Sequence, residues 1–381
     1  MRVILAVDSI HRPLTGIGRY AWQLCQGLKE SPEISSLEYV SHGRWVEDPA
    51  GLLEPGPAST AQSARKMLAG SRIATTAYTM LMPALMRWQL RQRRECLFHS
   101  PNFFLPPFPG AAISTFHDLS IYDHPEFHPQ ARVSFMRREI PKALRRARML
   151  IAVSEFTRRQ IIERFDWPEE RIVTVLQGVD SDFGLEESVN HASILENLGL
   201  QPKGYTLCVS TIEPRKNLDR LINAYRVLPP SLRNDFPLVL VGEQGWRSEH
   251  THLLIKQGVK DGWLHYHGYL PETQLRLVMR NCALFTFASV YEGFGLPVLE
   301  AMKSGRPVLS ANLPPVKEFA RDTIRYFDPY NIEEITAALQ AGLEDQSWRD
   351  SSGQLARKQA VNFTWKETVK QTISAYRAAH C

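Results

Sequence analysis

Several side chains in this sequence stand where they could do chemistry. Glu292 and Glu300 bracket a loop in the string Tyr291-Glu292-Gly293-Phe294-Gly295-Leu296-Pro297-Val298-Leu299-Glu300-Ala301-Met302. An apolar run over 283–288 leads into it and predicts a buried strand. Pro297 suits the first turn of a helix, and Leu296, Val298, Leu299 and Met302 recur at helical spacing. A helix N-terminus behind a glycine loop presents free N–H groups and partial positive charge, so Gly293, Phe294, Gly295 and Leu296 are candidates for holding a phosphate. Carboxylates repel phosphate. Glu292 in the loop and Glu300, expected in the first helical turn, are therefore better matched to hydroxyls, and a sugar next to a diphosphate would satisfy all of these groups. For Glu300 alone, stabilisation of the helix dipole is an equally good account.

Arg215 and Lys216 lie between a strand read at 205–209 and the next helix. A planar guanidinium fork and a point charge there can neutralise a diphosphate that leaves as an anion. His117-Asp118 ends the apolar run Ala112–Phe116, which puts the pair at the C-terminal edge of a strand, where open α/β sheets bind ligands. Asp118 could orient the imidazole or only cap the turn that follows. Gly16 and Gly18 open a helix after the first strand and let backbone approach a ligand closely. They come too late after that strand, and with Ala21 in place of a glycine, for a dinucleotide fingerprint.

The elements that must position these residues alternate between buried strands and amphipathic helices across 381 residues, which is room for two domains. No apolar run reaches the ~18–20 residues that span a bilayer, and the apolar start is cut short at Asp8, a first strand rather than a signal peptide. The five cysteines are scattered without a CxxC pair, which fits a reducing cytoplasm and no zinc site. Of the net charge of +5, all the excess falls in residues 1–180, with 23 Lys+Arg against 18 Asp+Glu. That is too local for a nucleic-acid binder. It concentrates in 61–95, where Arg65, Lys66, Arg72, Arg87, Arg91, Arg93 and Arg94 flank an apolar stretch, and in a basic helix read at 132–148 that Pro141 should disturb. Such segments suit an anionic membrane surface as well as they suit a solvated helix face. Residues 42–60 read as a loop.

The string from Glu292 through Ser304-Gly305-Arg306-Pro307-Val308 resembles the EGFGLxxxEAMxxGxPV motif of the retaining glycosyltransferases of family 4. His117-Asp118, Ala152-Val153-Ser154-Glu155-Phe156-Thr157 and Arg171–Asp180 resemble further elements of that family, although Gln177 replaces its usual asparagine and Ser210-Thr211 replaces a common Gly-Arg. The resemblance implies an α/β chain of GT-B type, with two Rossmann-like domains facing across a cleft: 1–182 on the acceptor side, 183–362 for the nucleotide sugar, and a final helix over 363–381 returning to the first. It implies that Glu292 and His117 lie by the donor sugar, that Glu300 binds ribose, and that the loop Gly268-Tyr269-Leu270-Pro271 holds the base. It places Gly16 and Gly18 beside the diphosphate and acceptor. Asp180-Ser181-Asp182 formally spells the metal motif of the other large glycosyltransferase fold. It falls in the linker of this pattern, so no metal or other cofactor is expected.

Among these enzymes the chain looks most like the mannosyl- and rhamnosyltransferases of bacterial O-antigen synthesis, in particular the D-rhamnosyltransferases of common (A-band) polysaccharide. The expectation is hexosyl transfer from a GDP-sugar to a polyprenyl-diphosphate-linked glycan, by a cytoplasmic protein peripheral to the inner membrane. A UDP-sugar donor is the alternative, followed by an NAD-dependent oxidoreductase or epimerase and a non-catalytic assembly partner.

Overall fold

The computed structural model describes residues 1–54, 84–184 and 191–380. They form two compact units: Met1–Asp123, Gln130–Gln177 and Trp365–Cys381 make unit 1, and His124–Pro129 with Gly178–Thr364 make unit 2.

Unit 1 is built on seven strands, β1 (Arg2–Ala6), β2 (Ser36–Ser41), β3 (Arg44–Val46), β4 (Leu97–Ser100), β5 (Ala112–Phe116), β6 (Met149–Ala152) and β7 (Ile172–Thr174). Their order is β3-β2-β1-β4-β5-β6-β7, parallel except for the β2–β3 hairpin. The inner strands are apolar throughout because both faces are covered. Val3, Leu5 and Val7 meet Tyr20, Leu24 and Leu28 of the helix Gly16–Glu30, along with Trp365, Ile373 and Tyr376 of the last helix, Trp365–His380. Ile4 and Ala6 point the other way, into a core with Met136, Ile140 and Leu144 of the helix Gln130–Arg146 and Ile161 of the helix Glu155–Phe165. The period-2 alternation along β1 thus divides the unit into two cores.

Unit 2 carries β8 (Thr206–Val209), β9 (Leu238–Val241), β10 (Leu264–Tyr266), β11 (Leu284–Phe287), β12 (Val308–Ala311) and β13 (Arg325–Phe327), in the order β10-β9-β8-β11-β12-β13 and all parallel. In both sheets the chain winds outward from its first strand, then reverses. The reversals fall between β1 and β4 and between β8 and β11, and the crevice at the C-terminal ends of such strand pairs is where ligands bind in open α/β sheets.

Local readings needed correction in several places. Residues 42–60 are not wholly a loop: they contain β3 and a 3-10 turn, Pro49–Leu53, capped by Asp48. The helix Gln130–Arg146 runs through Pro141. Proline forfeits one backbone bond there, and buried Val133, Met136, Ile140, Ala143 and Leu144 hold the helix on both sides of the break. The six residues 124–129, expected within an N-terminal domain of 1–182, pack with unit 2, where the Trp246 indole donates to the Phe127 carbonyl (2.7 Å). Arg65, Lys66, Arg72 and the apolar stretch up to residue 83 lie outside the described residues. No described helix is long and apolar enough to cross a membrane.

Candidate active site

The strand–loop–helix around Glu292 forms where the sequence placed it. β11 ends at Phe287, the loop follows, and a helix spans Leu296–Lys303 with Pro297 in its first turn. Gly295 adopts φ +108°, the left-handed region, and no side chain caps the helix; its carbonyl accepts from the Val298 and Leu299 N–H groups at 3.0 and 3.4 Å. A Cβ at 295 would also lie 2.9 Å from Val316 Cγ2. Phe294 is buried and packs on Phe319 at 4.9 Å, which anchors the loop from beneath. Glu300 is the fifth helical residue, in the second turn rather than the first, and is buried. So deep a position removes most of its value to the helix dipole, which acts over the first turn.

Arg215 and Lys216 sit in the short 3-10 turn Pro214–Lys216 after β8 and meet Glu292 across the switch between β8 and β11. Arg215 Nη1 donates to Glu292 Oε2 and Lys216 Nζ to Glu292 Oε1, each at 2.6 Å. Arg215 also donates to the Tyr291 carbonyl (3.0 Å) and, through Nε and Nη2, to Glu213 Oε1 at 3.2 and 3.0 Å. Two cations and two carboxylates therefore form a formally neutral, nearly buried cluster. Burial alone would raise the Glu292 pKa. The charges of Arg215 and Lys216, with hydrogen bonds from Lys216 and Ser289, outweigh it and hold the carboxyl below its usual range. The two cations differ in what they can still offer. Every guanidinium nitrogen of Arg215 is committed, whereas the Lys216 ammonium, with three protons, makes one such bond and lies 5.7 Å from the Phe287 ring. Glu213 and Ser289 escaped sequence reasoning; Glu213, two residues before Arg215, was the legible signal of the two.

The loops beside this cluster are tied together. Gly242 donates to the Gly268 carbonyl (2.6 Å), and the Tyr266 hydroxyl donates to the Gly242 carbonyl (3.0 Å). Leu270 is buried, while Tyr269 is 49% exposed. The acidic pair of the DxD string faces a cation. Arg276 reaches Asp182 Oδ2 at 2.7 Å and Asp180 Oδ2 at 3.8 Å. Among the described residues no cluster suits a metal ion.

Unit 1 holds His117 just past β5. Its Nε2 donates to the Pro101 carbonyl (2.9 Å), which leaves Nδ1 to accept from the Gln177 amide at 3.3 Å. Tyr20 packs edge-on against the ring at 5.1 Å. Burial pulls the imidazole pKa down, against smaller opposing effects of the Pro101 carbonyl and Asp118. Asp118 Oδ1 accepts from the Ser120 amide (2.9 Å) and hydroxyl (2.7 Å), a turn cap, so Pro101 and Gln177 orient the ring. Gln177 appeared in the sequence only as a departure from asparagine; the fold brings it to His117 across 60 positions. Gly18 has a packing reason of its own, since a Cβ there would lie 2.6 Å from the Ser9 carbonyl, while Gly16 faces open space.

Two Rossmann-like units with parallel sheets are the architecture of the GT-B glycosyltransferases. Anabaena HepE, solved with UDP and glucose, superimposes with a TM-score of 0.73 over 99% of this chain and 100% of that one, at 17% identity. WaaG, a glycosyltransferase involved in lipopolysaccharide biosynthesis, gives 0.72 over 97% and 98%, at 16% identity. The family described as Glycosyltransferase Family 4 matches residues 14–183, and that described as Glycosyl transferases group 1 matches 193–359. O-antigen chain mannosyltransferase B of Escherichia coli is 36% identical over 380 residues, 99% of this chain and 100% of that protein. The chain belongs to this glycosyltransferase family and is a hexosyltransferase, which sets aside the oxidoreductase and the non-catalytic readings.

Proposed function

We propose that the chain transfers a mannosyl or D-rhamnosyl residue, with retention, from a GDP-sugar to a lipid-linked glycan in O-antigen synthesis. The observation that carries the chemistry is the cluster of Arg215, Lys216 and Glu292 beside an uncapped helix N-terminus. The end-to-end likeness to an O-antigen mannosyltransferase supports the substrate class. Lys216 and the N–H groups ahead of Leu296 receive the diphosphate, and Arg215 fixes the loop through Tyr291 and Glu292. Glu300 takes the ribose, the loop at Tyr269 and Leu270 takes the base, and no metal is needed. The bond from the anomeric carbon to phosphate breaks and a bond to the acceptor oxygen forms on the same face. The acceptor proton passes to the leaving diphosphate. Glu292, held ionised by two cations, is a poor nucleophile, which favours this route over a covalent glycosyl-enzyme. Calorimetry with GDP and UDP, followed by transfer from GDP-mannose and GDP-rhamnose, tests the donor. Tighter binding of UDP would overturn the GDP assignment.

Membrane association belongs to the same proposal. On unit 1, Trp88 (61% exposed) and Leu85 (42%) stand out beside Arg87 and Arg91, and the Arg91 guanidinium lies 4.8 Å from the Trp88 ring centre. An aromatic and aliphatic pair among arginines suits an anionic surface at the cytoplasmic face of the inner membrane. The protein should float with anionic liposomes. Flotation that persists after Arg65, Lys66, Arg72, Arg87, Arg91, Arg93 and Arg94 are neutralised would refute the surface.

A further inference from the structure

Residues 124–129 pack with unit 2, although the chain enters and leaves them through unit 1. Their sequence, His-Pro-Glu-Phe-His-Pro, is stiff, because Pro125 and Pro129 fix φ at two of the six positions. Pro125–Phe127 form a 3-10 turn. It is closed by the Phe127 amide on the His124 carbonyl and the His128 amide on the Pro125 carbonyl, both at 3.1 Å. The turn stacks His124 on Phe127, with ring centres 5.1 Å apart and planes 17° from parallel. We propose that this segment is a positioning strap for the Glu292 loop, with the His124 ring as a wedge against Tyr291. The proposal rests on the transferase reading above and adds a positioning residue to it.

The strap is held at both ends. The loop after β9 grips one end. There the Trp246 indole donates to the Phe127 carbonyl (2.7 Å), its ring lies 5.9 Å from that of His128, and the Arg247 guanidinium donates to the Glu126 carbonyl. Arg247 does so from φ +51°, a conformation that a non-glycine residue keeps only where its surroundings impose it. That loop is in turn tied to the one after β8: the Ile212 amide donates to the Glu243 carbonyl (2.9 Å) and the Gly245 amide to the Ile212 carbonyl (3.0 Å). At the other end His124 meets Tyr291, in the loop after β11, edge-on at 5.3 Å and 68°. In the sheet β8 lies between β9 and β11. The strap therefore bridges the loops on either side of the β8 turn that carries Arg215 and Lys216, a span of ~10 Å that residues 124–127 can cover. Tyr291 is the point where the wedge acts. It is buried, its carbonyl accepts from Arg215, and the next residue is Glu292, whose carboxylate takes both Arg215 and Lys216. Displacing the Tyr291 ring displaces the carbonyl and carboxylate that hold these cations against the departing diphosphate, and an error of ~1 Å in such groups can cost ~10²-fold in rate. The ring matters here and the imidazole charge does not. His124 Nδ1 faces Glu126 Oε1 at 3.2 Å, but that carboxylate is 60% exposed, a pair too solvated to fix the side chain. Contact with Phe127 and Tyr291 fixes it, so a phenyl ring should serve as well.

Steady-state transfer by the full chain, together with amide hydrogen exchange of the peptide 288–296, tests the strap. His124→Ala should lower kcat about tenfold to a hundredfold, with a smaller change in donor KM, and should speed exchange in that peptide. His124→Phe should restore both readouts and keep the wild-type pH profile. Trp246→Phe keeps a ring beside His128 and loses the N–H that grips Phe127. It should move both readouts in the same direction as His124→Ala, and it decides if His124→Ala does not fold. A segment that only adds stability would lower Tm in these variants and leave the kcat of the folded protein and the exchange of the loop unchanged; that result overturns the proposal. So does a His124→Phe variant as slow as His124→Ala, because the imidazole itself would then be required. If the wild type neither binds GDP nor transfers from a GDP-sugar, the donor reading falls, and the exchange of the loop alone decides the strap.

Discussion

At the scale of single residues, the site depends on partners that fix protonation. Burial holds His117 neutral, and Gln177, donating to Nδ1, leaves the proton on Nε2 facing Pro101. Gln177→Glu would present an acceptor there, favour the imidazolium and raise the depressed pKa. In 15N NMR the wild-type ring should stay neutral below pH 6.5, and the variant should titrate at higher pH. Identical titration curves would show that Gln177 does not set the charge. Lys216 and Arg215 divide their work in a way that can also be measured. Lys216→Ala should weaken GDP binding by about tenfold or more with a small change in Tm, since only one ion pair is lost. Arg215→Ala strips Glu292, Glu213 and the Tyr291 carbonyl of their donor and should cost about 3–5 kcal/mol of stability as well. The pH dependence has a defined sign. Glu292 has a folded pKa below its unfolded value of about 4.3, so its contribution is complete above that pH and is lost as pH falls through the folded value.

At the scale of elements, what was legible was whatever local chemistry dictates. An apolar run, a glycine pair and a proline were enough to read β11, its loop and the next helix, because each residue type answers to a backbone requirement at its own position. The same reasoning missed β3, since Gly, Pro and acidic residues around it resemble a loop until β2 supplies a partner. It expected Pro141 to disturb a helix that tertiary packing keeps whole, and it set Glu300 one turn too early. Nothing local announced that residues 124–129 pack with Trp246 and Tyr291. Glycine is required at Gly295 for both its φ and its closeness to Val316, whereas Gly16 has ordinary φ and open space. Gly295→Ala should therefore cost about 1–3 kcal/mol and weaken GDP binding. Gly16→Ala should leave Tm unchanged or slightly raised. Loss of transfer in Gly16→Ala without loss of stability would mark that position as a ligand contact, and full activity would make it only a helix opening.

At the scale of the whole molecule, the chain begins and ends in one unit, and a buried polar network joins its far parts. His99 on β4 lies 2.7 Å from the Tyr376 hydroxyl of the last helix through Nδ1, and 2.8 Å from Thr115 on β5 through Nε2. Thr115 in turn lies 3.2 Å from the Tyr20 hydroxyl, whose ring abuts His117. The last helix packs on the first sheet through Trp365, Val369, Ile373 and Tyr376, a placement that the family resemblance, not the helix's own apolar face, implied. The histidine at its centre could not be foreseen from an apolar strand sequence. Burial pulls the His99 pKa down to about 3, so the ring is neutral in the fold, while an unfolded histidine protonates near 6.5. Below that pH the unfolded chain binds the extra proton, and stability falls as pH falls, by about 1.4 kcal/mol per pH unit for this residue. Urea unfolding followed by tryptophan fluorescence between pH 7 and 5 should show that loss in the wild type. His99→Gln, which carries no titrating group, should be less stable at pH 7 and show a shallower slope. Tyr376→Phe removes one hydrogen bond and no charge, so it should lower stability by about 1 kcal/mol at pH 7 and leave the slope unchanged. If His99→Gln kept the wild-type slope, the acid sensitivity would have to come from other groups, and His99 would be a pin between sheet and helix with no part in the pH response.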